Sequence, residues 1–244
     1  MKGRSKMNQK IGILDSGIGG TTVLAEIKKL LPKEDYIYYA DNKNNPYGEK
    51  PEEEIYKIVD NIVKFLIYDK HCKMIVIACN TATTRCMKQL KEKYKDIPFV
   101  GTVPAIKVAC DNNYKNTLVL ATPATIDSER THELIKENKK IGQEITLISC
   151  DGLANAIETK NEEKINEILE KVKYKTKNKK IDSIVLGCTH YPLIKKEINE
   201  FFPNTILLDG SLGVAKQVKR LLHQYNIENL NGTGEVEFIY SKKN

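Results

Sequence analysis

Two short apolar runs in the chain are followed by the same kind of polar sequence. Residues 75–78 lead into Cys79 and residues 184–187 lead into Cys188, and small hydroxyl or amide residues come next in both cases. Short β-branched runs bounded in this way are typical of buried strands in a parallel sheet. Ligands of open α/β sheets bind beyond the carboxyl ends of the strands, so both thiols are predicted to lie where chemistry takes place.

The remaining apolar pattern alternates between strands and helices. Runs that predict strands occupy residues 11–14, 36–40, 117–120, 145–149, 205–208 and 236–240. Helical spacing or helix start signals mark stretches that begin near residues 21, 51, 83, 153, 162 and 214. This alternation predicts an α/β fold built on parallel sheets.

The spacing of these elements indicates an internal repeat. Asp15 and Thr122 stand in the turns after two predicted strands and lie 107 residues apart, while Cys79 and Cys188 lie 109 residues apart. Two features repeated at nearly one offset predict a duplicated α/β unit. We therefore expect two similar parallel-sheet α/β domains related by pseudo-symmetry, each presenting one thiol to a shared cleft.

Composition and charge exclude several classes of protein. The 244 residues are 41% hydrophobic and 29% charged, which fits one large or two small globular domains. No apolar run approaches the roughly 18–20 residues of a membrane helix, and residues 1–7 lack the apolar core of a signal peptide, so a cytoplasmic protein without a membrane partner is expected. The net charge of +7 sits largely in this tail and in residues 171–180. Because no nucleic-acid motif accompanies these lysines, they are interpreted as solvated surface rather than a nucleic-acid site.

Six cysteines occur without a Cys-x-x-Cys pair. In a cytosolic chain this pattern indicates free thiols, most of them small buried hydrophobes, and leaves the two at strand ends as candidates for chemistry. Cys188 and His190 lie two residues apart, but no second ligand pair at zinc spacing accompanies them, so no metal site is predicted.

A glycine-rich turn, residues 15–20, joins the first predicted strand to the first helix. Strand, glycine-rich turn and helix together form a candidate anion-binding loop. Thr22 stands where a dinucleotide fingerprint needs its third glycine, and no Gly-Lys-Ser/Thr of a P-loop follows. Two interpretations stay open for this stretch alone: an anion-binding loop carrying an acid and a hydroxyl, or a tight turn.

Four motifs occur in order over about residues 10 to 215: Asp15 to Gly20, Asp41 with Pro46-Tyr47-Gly48, Cys79-Asn80-Thr81, and Gly187 to Leu193. Together they resemble the motifs of the glutamate racemases, cofactor-independent members of the aspartate/glutamate racemase superfamily. The resemblance implies two α/β domains facing a cleft, which we place at residues 1–102 with 210–244 and at residues 103–209. It also implies a homodimer and a role in supplying D-glutamate for peptidoglycan.

Racemisation suits a pair of thiols. The reaction removes a weakly acidic Cα proton and returns a proton to the opposite face, and a free Cys titrating near ~8.5 can be present as thiolate or thiol close to neutral pH. By resemblance, Asp15 assists Cys79 and His190 assists Cys188, with Cys79 deprotonating D-glutamate and Cys188 L-glutamate. A hydrogen-bonded structural role is the alternative for His190.

Substrate binding requires groups that hold a zwitterion with an extra carboxylate. Backbone N–H groups, hydroxyls and amides at helix N-termini suit carboxylates. The positions in the matching motifs are Ser16, Asp41, Tyr47, Gly48, Asn80, Thr81, Thr122, Thr125 and Thr189. Asp15 and Glu158 are expected to face the substrate ammonium. Neither a cofactor nor a metal is predicted.

Three stretches depart from the family pattern. Asn44 or a neighbour stands where the family usually has Arg, residues 150–158 keep Cys and Glu without the usual prolines and Phe, and residues 209–211 read Asp-Gly-Ser rather than Asp-Ser-Gly. Two alternatives therefore stay open: a racemase of aspartate or another amino acid, and a non-catalytic binding homologue. His190 favours glutamate, because aspartate enzymes tend to carry an acid at that position.

Overall fold

The structure, a computed structural model, describes residues 6–242. The chain divides into two compact units, one formed by Met1–Thr102 with Ser211–Asn244 and the other by Val103–Gly210. Most of the basic N-terminal tail considered above, residues 1–5, lies outside the described residues. Within residues 6–242, no helix combines the length and apolar character needed to cross a membrane.

Nine strands and ten α-helices carry the fold of the described residues. The strands are β1 (Ile11–Asp15), β2 (Tyr36–Ala40), β3 (Met74–Ile77), β4 (Phe99–Gly101), β5 (Asn116–Ala121), β6 (Glu144–Ser149), β7 (Ser183–Leu186), β8 (Ile206–Leu208) and β9 (Val236–Tyr240). The helices are α1 (Thr21–Leu30), α2 (Glu52–Lys64), α3 (Asn80–Lys93), α4 (Ile106–Asp111), α5 (Pro123–Ile126), α6 (Glu129–Asn138), α7 (Leu153–Glu158), α8 (Glu162–Lys175), α9 (Lys195–Phe201) and α10 (Ser211–Gln224).

The first unit is a five-stranded parallel sheet in the order β4-β3-β1-β2-β9, covered on both faces. Helices α1 and α10 pack on one face through residues such as Val23 and Val218. Helices α2 and α3 pack on the other through residues such as Ile55 and Leu90. Burial on both faces explains why β1 and β3 are apolar without alternation.

The second unit is a four-stranded parallel sheet in the order β6-β5-β7-β8. Helices α7, α8 and α9 cover one face around Leu153 and Leu169. Helices α4 and α6 cover the other around Ile106 and Leu134. The prediction of parallel-sheet α/β architecture is confirmed in both units.

The two sheets repeat one strand order. Read from one edge, the first runs β4-β3-β1-β2 before β9 is added, and the second runs β8-β7-β5-β6. In each, the second strand in sequence lies on one side of the first and the third strand lies on the other. This reversal opens a crevice at the carboxyl ends of β1 and β3 in one unit and of β5 and β7 in the other, which is where open α/β sheets bind ligands.

Helix α10 begins at Ser211 rather than near residue 214, and two further boundaries differ from the sequence prediction for one physical reason. Helix α3 begins at Asn80 rather than near residue 83, and the predicted turn after β5 contains the short helix α5. Cys79 and Thr122 are the N-caps of these helices, and each side chain accepts a backbone N–H from the first turn. The helices therefore start directly at the strand ends, because the side chains that the sequence placed in turns cap them.

Candidate active site

Cys79 combines a strand end with a helix N-terminus. It follows β3, the residue is 5% exposed, and its Sγ accepts the backbone N–H of Ala82 at 3.5 Å. The N-terminal end of the 14-residue α3 carries partial positive charge, which stabilises a negative charge on the sulfur. Ser16, which follows β1, places its Oγ 3.9 Å from the same sulfur. Asn80 and Thr81 form the first turn of α3 and are also buried.

Asp15 ends β1 and organises the glycine-rich turn. Its carboxylate is fully buried, and Oδ2 accepts the backbone N–H of Gly17 at 3.0 Å. The hydroxyl of Tyr38 donates to the carbonyl of Gly17 at 2.8 Å. A Cβ added at Gly20 would lie 2.6 Å from Asp15 Cβ and 2.8 Å from the Tyr38 hydroxyl. The turn is therefore tight, and its tightness keeps the acid at the strand end beside the crevice.

The loop after β2 is built around Asp41, whose side chain is almost fully buried. Tyr47 donates its hydroxyl to Asp41 Oδ2 at 2.6 Å, and Asn44 donates its amide to the two oxygens at 2.9 and 3.1 Å. Burial first, and then the charge and hydrogen bond of Asp41, raise the pKa of Tyr47 well above its ordinary value. The phenol therefore stays neutral and acts as a donor. Gly48, the next residue, is half-buried.

In the second unit Cys188 follows β7 and forms a short chain of contacts with two ionisable residues. Its Sγ lies 3.8 Å from His190 Nδ1, and His190 Nε2 lies 2.6 Å from Glu158 Oε2. The imidazole is 1% exposed. A carboxylate at this distance holds the imidazole ring in one orientation beside the thiol. Glu158, expected at the substrate ammonium, uses Oε2 for His190.

Hydroxyl groups lie at the other strand end of the second crevice. Thr122 caps α5, where its Oγ1 accepts the Thr125 N–H at 3.3 Å and donates to Thr125 Oγ1 at 3.0 Å. Both residues are buried, as is Thr189, which follows Cys188. The predicted site residues thus fall into two groups, one in each unit, and every member lies at or near the carboxyl ends of the strands.

The four other cysteines are buried and free. Burial raises the pKa of Cys72, Cys86 and Cys150 to about 12 and raises that of Cys110 in the same direction. These groups stay protonated near neutral pH. The prediction that most of the thiols are small buried hydrophobes is confirmed.

Sequence reasoning missed two features of these sites. Tyr38 holds the glycine-rich turn, but a buried Tyr on β2 gives no signal that separates it from core. Gly187 lets the end of β7 approach β5, since an added Cβ would lie 2.9 Å from both Ala121 Cβ and the Leu120 carbonyl oxygen. The position of Gly187 directly before Cys188 was the sequence signal that could have identified it.

Comparison with known proteins identifies relatives over almost the whole chain. The model of the family described as Asp/Glu/Hydantoin racemase matches residues 11–217. The glutamate racemase of Clostridium novyi is 41% identical over 234 residues, which cover 93% of this chain and 89% of that protein. The glutamate racemase of Clostridium acetobutylicum is 40% identical over 244 residues, covering 98% and 94%.

A solved structure extends the similarity to three dimensions. The glutamate racemase of Francisella tularensis, crystallised in complex with D-glutamate, has a TM-score of 0.84 at 32% identity and covers 97% of this chain and 89% of that one. A family model that spans most of the chain agrees with relatives near 40% identity over nearly its full length. The chain therefore belongs to the Asp/Glu/hydantoin racemase family, among its glutamate racemases.

Proposed function

We propose that this protein interconverts L-glutamate and D-glutamate without a cofactor, using Cys79 and Cys188 as two bases on opposite faces of the substrate Cα. The observation that carries the proposal is the position of one thiol at the switch point of each sheet, with the buried Asp15 at the end of the neighbouring strand in the first unit and a His–Glu pair in the second. The activity of the relatives gives the substrate: both Clostridium proteins are glutamate racemases, and the Francisella enzyme was crystallised with D-glutamate.

The chemistry needs one thiolate and one thiol at the start of each turnover. The thiolate removes the Cα proton and becomes a thiol, while the opposite thiol protonates the planar carbanion and becomes a thiolate. The charge states are exchanged at the end, so the reverse reaction starts from the state that the forward reaction leaves. Cys79 deprotonates D-glutamate and Cys188 deprotonates L-glutamate.

In the first unit, the proposed role of α3 is to favour the thiolate state of Cys79 through its N-terminal N–H groups. Asp15, held at the adjacent strand end by Gly17, assists the proton transfer at this thiol. Asp41 keeps Tyr47 in place beside this half of the site.

In the second unit, His190 is the proposed proton relay for Cys188, and Glu158 is the residue that orients it. A buried imidazole can accept the thiol proton, and the carboxylate that holds it stabilises the resulting positive charge as the thiolate forms. The pair of thiolate and imidazolium is therefore accessible without solvent. Glu158 acts through His190 and is therefore assigned as a positioning residue.

The hydroxyl, amide and N–H groups at the strand ends provide the proposed carboxylate contacts. Carboxylates are bound well by helix N-termini with small polar side chains, the arrangement found at α3 and α5. The residues proposed to bind the substrate are Ser16, Tyr47, Gly48, Asn80, Thr81, Thr122, Thr125 and Thr189. In this scheme the protein acts as a cytoplasmic homodimer that supplies D-glutamate for peptidoglycan.

The proposal is tested by circular dichroism of L- and D-glutamate incubated with purified protein, with aspartate as the alternative substrate. Racemisation of glutamate is expected, and Cys79→Ser and Cys188→Ser are each expected to lower kcat by at least about 100-fold, the usual size of a general acid–base contribution. Cys86→Ser, a buried thiol outside both crevices, is the matched control and should retain activity. Turnover of aspartate alone would overturn the substrate assignment, and undiminished activity in either variant would overturn the two-thiol mechanism.

A further inference from the structure

Ser241, the residue after β9, joins the end of the chain to the loop that follows β2. Its backbone N–H donates to the carbonyl of Ala40 at 3.0 Å. Its Oγ donates to Asp41 Oδ1 at 2.7 Å and accepts the backbone N–H of Lys43 at 2.8 Å. One hydroxyl therefore ties together the carboxylate and the backbone of the loop.

The register of β9 determines where this hydroxyl lies. Tyr240 is paired with Ala40 in the parallel ladder between β2 and β9. The segment that leads into β9 is held by Asp35, whose Oδ1 accepts the backbone N–H groups of Thr233 and Glu235 at 3.1 and 3.0 Å. Because both ends of β9 are fixed to β2 or its neighbours, the side chain that follows the strand is delivered to Asp41.

Asp41 connects Ser241 with the surroundings of Cys79 through Tyr47. Its Oδ2 receives the Tyr47 hydroxyl at 2.6 Å, and the Tyr47 ring packs in the same buried cluster as Cys79. The charges of Cys79 and Asp15 contribute to the raised pKa of Tyr47, in addition to burial and Asp41. Without Ser241, Asp41 Oδ1 would keep only the Asn44 amide at 3.1 Å among the described side-chain donors to it.

We propose that Ser241 is a positioning residue for proton transfer at Cys79, acting through Asp41 and Tyr47. The inference rests on the proposed racemase function, because it names a residue that supports one of its two thiols. Ser241 lies outside the motifs of the racemase resemblance, at a position that a sequence pattern marks only as the end of a strand.

The test compares Ser241→Ala with Ser241→Thr, which keeps a hydroxyl, and with Lys242→Ala, the exposed neighbour, as control. Primary isotope effects on kcat/KM are measured with D- and with L-glutamate deuterated at Cα. If proton transfer at Cys79 is slowed, removal of deuterium from D-glutamate by Cys79 limits the rate more strongly. Removal of deuterium from L-glutamate by Cys188 then limits the rate less, because the protonation by Cys79 that follows it has become slower. Ser241→Ala is expected to lower kcat/KM about tenfold, the size of one lost hydrogen bond to a charged acceptor. It is also expected to raise the ratio of the isotope effect measured with D-glutamate to the one measured with L-glutamate.

The expected pattern is completed by Ser241→Thr and Lys242→Ala behaving like the wild-type protein. Isotope effects in Ser241→Ala that equal those of the wild-type protein would overturn the proposal, whether or not the rate falls. A merely structural loss reduces the fraction of active protein without changing which step limits the rate. If the wild-type protein did not racemise glutamate, the proposed function would fail instead. Amide hydrogen exchange of residues 42–48 would then separate the two failures: faster exchange in Ser241→Ala alone would show that Ser241 still holds the loop after β2, and unchanged exchange would overturn its positioning role as well.

Discussion

Gly187 lies directly before a proposed catalytic thiol, at a point where the neighbouring strand leaves no room for a methyl group. An added Cβ would contact Ala121 and the backbone carbonyl of Leu120 at 2.9 Å, and a backbone atom on a neighbouring strand cannot move aside cheaply. The end of β7 would have to shift, and Cys188 would shift with it. Close strand approach at this point is therefore a requirement of the site as well as of the sheet.

Substitution of this glycine tests the requirement. We expect Gly187→Ala to lower the free energy of unfolding by about 1–3 kcal/mol through overpacking and to lower kcat at least about tenfold. Gly213→Ala is the matched control, because Gly213 lies inside α10 with open space around it, and it should be neutral or stabilising by roughly 0.5–1 kcal/mol. Denaturant unfolding and glutamate kinetics provide the readouts, and wild-type values for Gly187→Ala would contradict the argument.

Glu158 offers a second test at the scale of single residues. Because Oε2 contacts His190, removal of its charge in Glu158→Gln is expected to lower kcat roughly tenfold and to change KM little. Glu162→Gln, an exposed acid in the first turn of α8, serves as control. A KM that rises several-fold with kcat unchanged would assign Glu158 to binding of the substrate ammonium and contradict its proposed role in orienting His190.

At the scale of elements, α3 matters most because Cys79 caps it and accepts a backbone N–H from its first turn. The helix is held against α2 by Asp60, whose carboxylate accepts Lys93 Nζ at 2.7 and 2.8 Å and the Tyr94 hydroxyl at 2.7 Å. Burial favours the neutral acid, but the hydrogen bonds from Lys93 and Tyr94 prevail and lower the pKa of Asp60 below its ordinary 3.8. The native state therefore prefers the carboxylate.

This preference predicts a pH-dependent stability. A lowered pKa in the folded state contributes stability that is complete above the unfolded value near 3.8 and is lost as the pH falls through the folded value. Asp60→Asn is expected to destabilise the protein by about 1–2 kcal/mol between pH 5 and 8, and the difference from wild type should shrink below about pH 4. Urea unfolding across this range measures it, and a deficit that did not change with pH would show that the charge is not responsible.

The boundaries of the elements show where sequence patterns reach their limit. The strands β2 and β9 follow from runs of β-branched and aromatic residues, and their observed bounds match the predicted ones. The start of α3 was misplaced, because Cys is a rare N-cap and Asn80 and Thr81 look like turn residues. Short elements such as β4 and α4 escaped prediction, since three to six residues give too little periodicity to recognise.

At the scale of the whole molecule, the offsets of 107 and 109 residues predicted a duplicated α/β unit, and the structure contains two parallel sheets that share a strand order, which the sequence did not predict. Most members of the two groups of site residues also follow from sequence, because they stand at or shortly after the end of a strand, whereas Tyr47, Gly48 and Glu158 follow from the racemase resemblance. The contacts among them do not: nothing in the spacing links Glu158 with His190, or Ser241 with Asp41, since these pairs are brought together by separate elements. Tertiary packing decides such contacts.

The proposed mechanism also predicts that racemisation needs no cofactor. Every group that the proposed mechanism uses belongs to the chain itself, so racemisation should persist after dialysis against a chelator and in the presence of hydroxylamine, which traps pyridoxal phosphate. Thiol alkylation should abolish it, because both proposed bases are cysteines. Loss of activity on dialysis that is restored by a metal or by pyridoxal phosphate would contradict this.

The most direct test of the two-thiol account follows deuterium during the first few per cent of conversion of L-glutamate in D₂O. A thiol carries a single exchangeable proton, so removal by Cys188 and delivery by Cys79 place solvent deuterium in the D-glutamate formed. The L-glutamate that remains should keep its own hydrogen. Mass spectrometry of the separated enantiomers is expected to show this asymmetry, with the roles exchanged when D-glutamate is the substrate. Early product that retains the substrate hydrogen, or early deuterium in the remaining substrate, would indicate a single base and contradict the account.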